Sequence, residues 1–204
     1  MNKKRILYVL CCMFIISTIS TPVTNISAAT NKNKKAHTAF KKELPKLEKK
    51  YGGISGGLAY AYRDVDGDDI DELIIEPGYG YYFQGIYKYK NGRVDRVCAI
   101  GQGPFKRYYP KKKIIFSQKT GHMGVLTDNY FKWNNGTYKI VAYVVRTYSG
   151  DYDKAPDTVE YFINNKKTTK KRYQSYTKNL IKGDKGRTFS SIKWRSMNAP
   201  AAEL

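Results

Sequence analysis

Residues 58–75 read LAYAYRDVDGDDIDELII, and this stretch decides how the rest of the chain folds. Its first six residues alternate large apolar or charged side chains with alanines, a period of two that is typical of a β-strand. An acidic loop follows over residues 64–72, and Leu73-Ile74-Ile75 begins a second apolar run. The stretch therefore predicts a strand, a charged loop and a second strand.

A helix is predicted before this stretch. Phe40, Leu44, Leu47 and Tyr51 recur at spacings of three and four, with lysines and glutamates between them, which is the pattern of an amphipathic helix. Gly52 and its neighbour end the pattern. Proline lacks the N–H that a helix interior needs, so Pro45 predicts a kink or two short helical pieces.

Hairpins are predicted after this stretch. Residues 91–92 (Asn-Gly), 134–136 (Asn-Asn-Gly) and 164–165 (Asn-Asn) each separate two strand-like runs. Thr168 or Thr169 is a suitable cap for a last helix over about 170–182. We expect an α+β fold: an N-terminal amphipathic helix, an antiparallel β-meander that carries the acidic site, and a C-terminal helix, in one domain over 36–204.

The first 29 residues predict export. Lys3, Lys4 and Arg5 precede the apolar run 6–16, and small residues at 27–29 suit signal peptidase. We expect a signal peptide over 1–29, a linker over 30–35 and a secreted, extracellular protein. An uncleaved membrane anchor is the alternative. No later segment is apolar enough to cross a bilayer, so we expect no integral membrane segment after cleavage.

The acidic loop has the composition of a metal site. Six of its nine residues are acidic in a chain of formal net charge +20. Asp64, Asp66 and Asp68 repel one another unless a cation lies between them, and the carbonyl of Ile70 and the carboxylate of Glu72 can complete an oxygen cage. We expect these five residues to bind Ca²⁺, in a structural role; Mg²⁺, or a solvated turn without metal, are the alternatives.

This strand–loop–strand resembles the D-x-D-G-D-x-x-x-E calcium loops of integrin-type (FG-GAP, VCBS) repeats. It is more similar still to a group of small secreted or lipoprotein-type proteins of Gram-positive bacteria, which also share a Gly-His-Met/Ala-Gly segment (here 121–124) and a late hairpin and helix. The resemblance covers roughly residues 56–182 and implies no known activity. Asp69 replaces the usual loop glycine, at a position where a positive φ is often needed.

The basic charge predicts anionic partners. Six basic residues and no acid lie between 104 and 119, and eleven basic residues lie between 165 and 195. We expect electrostatic binding to anionic envelope polymers or other polyanions through clusters 106–113 and 166–172, independently of the acidic loop. A solvated lysine-rich surface is the alternative. Export argues against specific nucleic acid recognition.

These patterns predict a secreted calcium-binding module, monomeric, of unknown specific role, associated with the cell envelope through its basic surface. Three cysteines, two of them in the leader, exclude a disulfide framework. No motif predicts catalysis, so a non-enzyme is favoured. The alternative is an extracellular hydrolase or cell-wall-modifying enzyme that uses His122, and it requires a carboxylate within hydrogen-bond reach of that residue.

Overall fold

The computed structural model describes residues 23–52, 57–77, 84–101, 103–150 and 154–197. Two helices are present in this part of the chain, α1 (Val23–Tyr51) and α2 (Lys170–Leu180). The strands are β1 (Leu58–Arg63), β2 (Glu72–Pro77), β3 (Gln84–Lys90), β4 (Arg93–Ile100), β5 (Phe105–Tyr109), β6 (Ile114–His122), β7 (Val125–Asn134), β8 (Thr137–Thr147), β9 (Thr158–Ile163), β10 (Lys166–Thr168), β11 (Arg187–Thr188) and β12 (Arg195–Ser196). Two short 3₁₀ turns lie at Pro110–Lys112 and Phe189–Ser191.

The strands form two antiparallel sheets, each built around a meander. The first sheet has the order β12-β1-β2-β3-β4, and the second has the order β10-β9-β8-β7-β6-β5-β11. Consecutive strands pair with one another because a tight turn places each strand directly beside the strand before it. The chain thus completes one meander before it begins the other.

The hairpin turns form where the sequence predicts them. Asn91 and Gly92 join β3 to β4, and both have positive φ angles, of 52° and 80°. Residues 135–136 and 164–165 also have positive φ angles and join β7 to β8 and β9 to β10. Two positive φ angles give a turn the twist that matches its flanking strands, which is why asparagine and glycine occupy these positions.

Apolar side chains fill three layers of the structure. The largest core lies between the two sheets, where Ile74 and Ile86 of the first sheet meet Ile115 and Phe131 of the second. Helix α1 covers the other face of the first sheet, and α2 packs on the second sheet through Tyr173. The order of layers is therefore helix, sheet, sheet, helix.

The expected α+β class is wrong. The described chain is mostly β, in two packed sheets, with one long N-terminal helix and one small helix. Helix α2 forms near the predicted position, capped by Thr169, whose Oγ1 accepts the N–H of Arg172. It is not the C-terminal element, because β11 and β12 follow it. The periodicity of the sequence predicted most of the helix and strand segments. It could not show that the strands divide between two sheets.

Helix α1 is longer than expected. It runs without a break from Val23 to Tyr51 and includes Pro45, so it is one helix rather than two pieces. Residues 30–35, expected as a linker, belong to this helix. Ala36, one residue further, is completely buried. Contacts of α1 with the acidic loop, described below, explain why this lysine-rich segment is ordered.

The segment after α2 completes both sheets. Strand β11 pairs with β5 at one edge of the second sheet, and β12 pairs with β1 at the edge of the first. Between them, Phe189 and Ile192 enter the core that the two sheets share. The sequence of this segment does not predict its role, because it has no clear hydrophobic periodicity. The role depends on only two buried apolar residues and two very short strands.

Neither described helix contains a stretch long and apolar enough to span a membrane.

We expect Phe189→Ala to destabilise the fold strongly. The ring of Phe189 is 4% exposed and packs against Phe105 and Tyr108, with ring centroids 5.3 and 5.1 Å away. Removing a buried phenylalanine ring costs about 3–5 kcal/mol of unfolding free energy. Urea denaturation measures the change. Ser190→Ala, one residue on and exposed, is the control and should change the midpoint little; equal midpoints for both variants would contradict the role of this segment.

Candidate metal centre

The acidic loop folds around its own backbone N–H groups. Asp64 accepts two of them, with Oδ1 2.7 Å from the nitrogen of Gly67 and Oδ2 3.1 Å from the nitrogen of Asp69. Asp68 Oδ1 lies 3.0 Å from the nitrogen of Ile70. These bonds need a left-handed backbone at two points, Gly67 (φ 74°) and Asp69 (φ 63°). Asp69 thus has the positive φ that is often needed at this loop position, where glycine is usual.

Three carboxylates converge inside this loop. Asp64, Asp66 and Glu72 each place one oxygen within 4.8 Å of the other two, an arrangement that could hold a metal ion. Asp66 and Glu72 are 2% and 1% exposed, so both are removed from water. Glu72 Oε2 accepts the N–H of Val65 at 2.9 Å, which fixes its side chain across the loop. Carboxylates buried together in this way require a positive charge nearby.

Lys88 of β3 supplies that positive charge. Its Nζ lies 2.6 Å from Glu72 Oε1, 2.8 Å from Asp68 Oδ2 and 3.1 Å from Asp66 Oδ2. An ammonium has three hydrogens, and each can be donated to a different carboxylate. The ammonium therefore lies among the side chains that the sequence assigns to calcium. Lys113 Nζ is a second cation, 3.7 Å from Asp66 Oδ2.

Burial and the neighbouring charges both shift the pKa values of Lys88 and Glu72. Burial lowers the pKa of Lys88, but Glu72, Asp68 and Asp66 more than offset this, so its pKa is raised and it remains an ammonium. Burial raises the pKa of Glu72 to about 8, and the charge of Asp66 acts in the same direction, while Lys88 lowers it. The cluster therefore brings together more carboxyl groups than nearby cations, and burial favours the protonated form of Glu72.

Two buried polar atoms at the cluster have no partner among the described residues. They are Asp66 Oδ1 and the hydroxyl of Tyr138. Tyr138 belongs to β8 in the other sheet; burial, followed by the charges of Asp66 and Glu72, raises the pKa of its hydroxyl. A buried polar atom without a hydrogen bond costs free energy, so an ion or a water would be stabilised there.

Helix α1 holds the loop from outside. Asn33 donates from Nδ2 to the carbonyl of Asp69 (3.0 Å) and accepts the N–H of Asp71 at Oδ1 (2.7 Å). His37 Nε2 lies 2.9 Å from Asp71 Oδ2, and its ring stacks on Tyr62 with centroids 4.2 Å apart. The segment expected to be a linker is thus part of the support of this site.

The predicted ligands differ in where they lie. Asp64, Asp66 and Glu72 come together, and Asp68 joins them through the shared ammonium. Ile70 lines the adjoining cleft and packs against the second core. Sequence reasoning missed Lys88, Lys113 and the helix residues Asn33 and His37. One signal was available: Lys88 lies two residues after Ile86 on β3 and so shares its inward face, and a lysine at such a position implies a buried anion.

The basic clusters lie apart in the second sheet. Strands β5 and β10, which border clusters 106–113 and 166–172, are separated by four strands, or roughly 24 Å at the usual strand spacing. Strand β11 instead brings Lys185 and Arg187 beside β5, where Arg107 Nη2 donates to the carbonyl of Lys185 at 3.0 Å. We call the resulting surface the edge patch: Lys106, Arg107, Lys111, Lys112, Lys185 and Arg187.

His122 is the last residue of β6 and precedes a two-residue turn, Met123 and Gly124, with φ angles of 52° and 84°. Its side chain lies outside the part of the chain that the structure describes.

The chain matches no protein-family model, no curated protein and no solved structure. The site must therefore be understood from its own geometry.

We expect Asn33→Ala to loosen the acidic loop. The change removes both hydrogen bonds between α1 and the loop, and should lower the unfolding free energy by about 1–2 kcal/mol. Chemical denaturation measures the loss. Asn31→Ala makes the same exchange at an exposed position of the same helix and is the control; an equal effect of the two substitutions would contradict the clamp.

Proposed function

We propose that this chain is the calcium-binding module of an exported protein, with Asp64, Asp66, Asp68 and Glu72 as the acidic ligands and the Ile70 carbonyl as a further oxygen. The observation that carries the proposal is the convergence of Asp64, Asp66 and Glu72, together with a buried Asp66 oxygen, Oδ1, that has no partner among the described residues. Oxygen ligands on a short loop suit Ca²⁺, which accepts irregular geometry better than Mg²⁺ does.

Lys88 acts as an internal competitor in this proposal. Its ammonium occupies the space among the carboxylates when no metal is bound, and Ca²⁺ must displace it. The ring of Trp133 lies 5.8 Å from Lys88 Nζ and offers the displaced ammonium a favourable position. The competitor makes calcium binding weaker than four carboxylates alone would give, and it keeps the loop folded without metal.

We expect Lys88→Met to increase calcium affinity and to make stability depend on calcium. Without metal, the variant leaves buried carboxylates unpaired, which costs about 3–5 kcal/mol. Excess Ca²⁺ should then raise its melting temperature more than that of the wild type, because a ligand stabilises the state that binds it. Calorimetry in Ca²⁺ and in EDTA measures both effects.

Two controls accompany this experiment. Lys90→Met, two residues along the same strand and exposed, should leave calcium affinity nearly unchanged. Asp66→Asn should abolish calcium binding, whereas Asp95→Asn on the exposed side of β4 should not. Absence of calcium heat in both the wild type and Lys88→Met would refute the proposal.

The proposed extracellular location rests on the predicted signal peptide, residues 1–29. Residues 1–22 lie outside the described part of the chain, so export is proposed from the sequence alone. The Gram-positive resemblance rests on the sequence pattern of residues 56–182. The hydrolase alternative needs a carboxylate beside His122, whose side chain lies outside the described part of the chain.

A second candidate function is binding of polyanions at the edge patch. The observation that favours it is the β5–β11 pairing, which adds Lys185 and Arg187 to the cations of residues 106–112. The six cations of the patch are exposed, and Asp184, whose carboxylate accepts the N–H of Lys111 at 2.9 Å, is a nearby anion. Such a surface attracts phosphate-bearing polymers of a cell envelope without a shaped pocket.

We expect the double change Lys111→Gln and Lys112→Gln to reduce the salt dependence of polyanion binding. Each lost contact should lower the slope of log affinity against log salt by roughly one, because one counterion fewer is released. Binding to a soluble polyphosphate at several salt concentrations gives the slope. Lys113 stays unchanged because it contacts Asp66.

The control makes the same charge change on α1, at Lys41 and Lys49, both exposed. This helix covers the face of the first sheet that is turned away from the second sheet. An equal loss of slope in the control would mean that net charge alone, and not the edge patch, binds the polymer.

A further inference from the structure

A cleft opens directly above the acidic cluster. Its volume is about 410 Å³, and Asp66, Asp68 and Lys88 lie at its floor. Lysines form its rim: Lys32 and Lys35 from α1, Lys90 from the end of β3, and Lys113 from the segment between β5 and β6. One wall is the half-buried ring of Trp133. A site that binds only a cation does not explain why lysines surround the acidic residues of this cleft.

The rim lysines are available for a ligand. Lys32, Lys35 and Lys90 are exposed and make no ion pair with any described residue. Lys113 already lies 3.7 Å from Asp66 Oδ2, whereas the other three ammonium groups repel one another and would also repel an incoming cation. An anion bound among them removes this cost. A metal ion at the floor adds to the attraction, because Ca²⁺ completes its coordination with oxygen atoms from outside the protein.

We propose that this cleft binds a phosphate ester whose oxygens contact the rim lysines and the cation held by Asp64, Asp66 and Glu72. The inference rests on the proposed calcium function and names the ligand of the same site. Lysines bind phosphate as point charges. The volume accommodates a phosphate with a small polyol, and the Trp133 ring gives the carbon skeleton of that polyol an apolar surface.

Lys88 couples the two ligands. When Ca²⁺ displaces its ammonium from the carboxylates, the side chain has the cleft beside it and joins the rim lysines. Calcium therefore adds the charge of the ion to the anion site and frees the Lys88 ammonium, which already lines the cleft, from its carboxylate partners. Coupling between two bound ligands is reciprocal, so the phosphate ester also strengthens calcium binding. This differs from the expectation that anion binding is independent of the acidic loop.

Calorimetry with glycerol 3-phosphate tests the inference. The wild-type chain is titrated in saturating Ca²⁺ and in EDTA at constant ionic strength, with glycerol as the uncharged probe. We expect glycerol 3-phosphate to bind roughly tenfold more tightly with calcium, and glycerol not to bind. The reverse titration, of Ca²⁺ with and without glycerol 3-phosphate, should show the same factor.

A pair of double variants separates the cleft from general charge. Lys35→Gln with Lys90→Gln should weaken glycerol 3-phosphate about tenfold while calcium affinity stays equal or rises slightly, since two repelling charges are removed. Lys170→Gln with Lys171→Gln removes the same charge at the start of α2, far along the second sheet, and should change neither affinity.

The outcomes distinguish the inference from the function on which it rests. Calcium binding without any heat from glycerol 3-phosphate overturns the inference and leaves the calcium site standing. Absence of calcium binding removes the proposed function and the inference together. Binding of glycerol 3-phosphate that is equal in Ca²⁺ and EDTA, or equally weakened in both double variants, also overturns the inference, since the anion would then bind by general charge.

Discussion

The ammonium of Lys88 among three carboxylates is the interaction on which the rest of the structure depends. It joins the loop between β1 and β2 to the neighbouring strand β3, and it neutralises charges that would otherwise prevent the loop from entering the protein. Removing one member of such a buried set leaves the others unpaired, and the cost is then much larger than the net stabilisation that the intact set provides. The loop and its clamp on α1 form around this cluster, and so does the close approach of Gly67 to Pro110, where a Cβ would lie 2.9 Å from the carbonyl oxygen.

Sequence reasoning identified the local parts of the site and missed the distant ones. The alternate carboxylates and Gly67 are signals within one short segment, so the folding of the loop could be predicted. Lys88 and Asn33 approach from other elements, and spacing along the chain carries no information about which strand or helix lies beside a loop. Their roles follow from the need of buried charges and backbone groups for partners, which is a property of the folded protein.

The fold, like the site, was predictable only in its local parts. Asparagine and glycine at the turns revealed the hairpins, because few other residues adopt positive φ angles there. The division of the strands into two sheets was not predictable, since both sheets expose the same alternation of apolar and polar residues. Residues 30–35 look like a linker because lysine and asparagine dominate them. They are helical because Asn33 forms two hydrogen bonds with the acidic loop and Ala36, one residue beyond the segment, packs in the core between α1 and the first sheet.

The pairing of β12 with β1 has a consequence for how the protein folds. Tyr60, near the start of the first sheet, pairs with Arg195, in the last described strand, and the core between the sheets contains residues from both ends of this interval. Contacts between residues so distant in sequence close large loops and slow the search for the native state. The two meanders can form early from local hairpins, but the first sheet gains its edge partner only when the final segment arrives. The sandwich can therefore close only after the segment that ends with β12, at Ser196, has been synthesised.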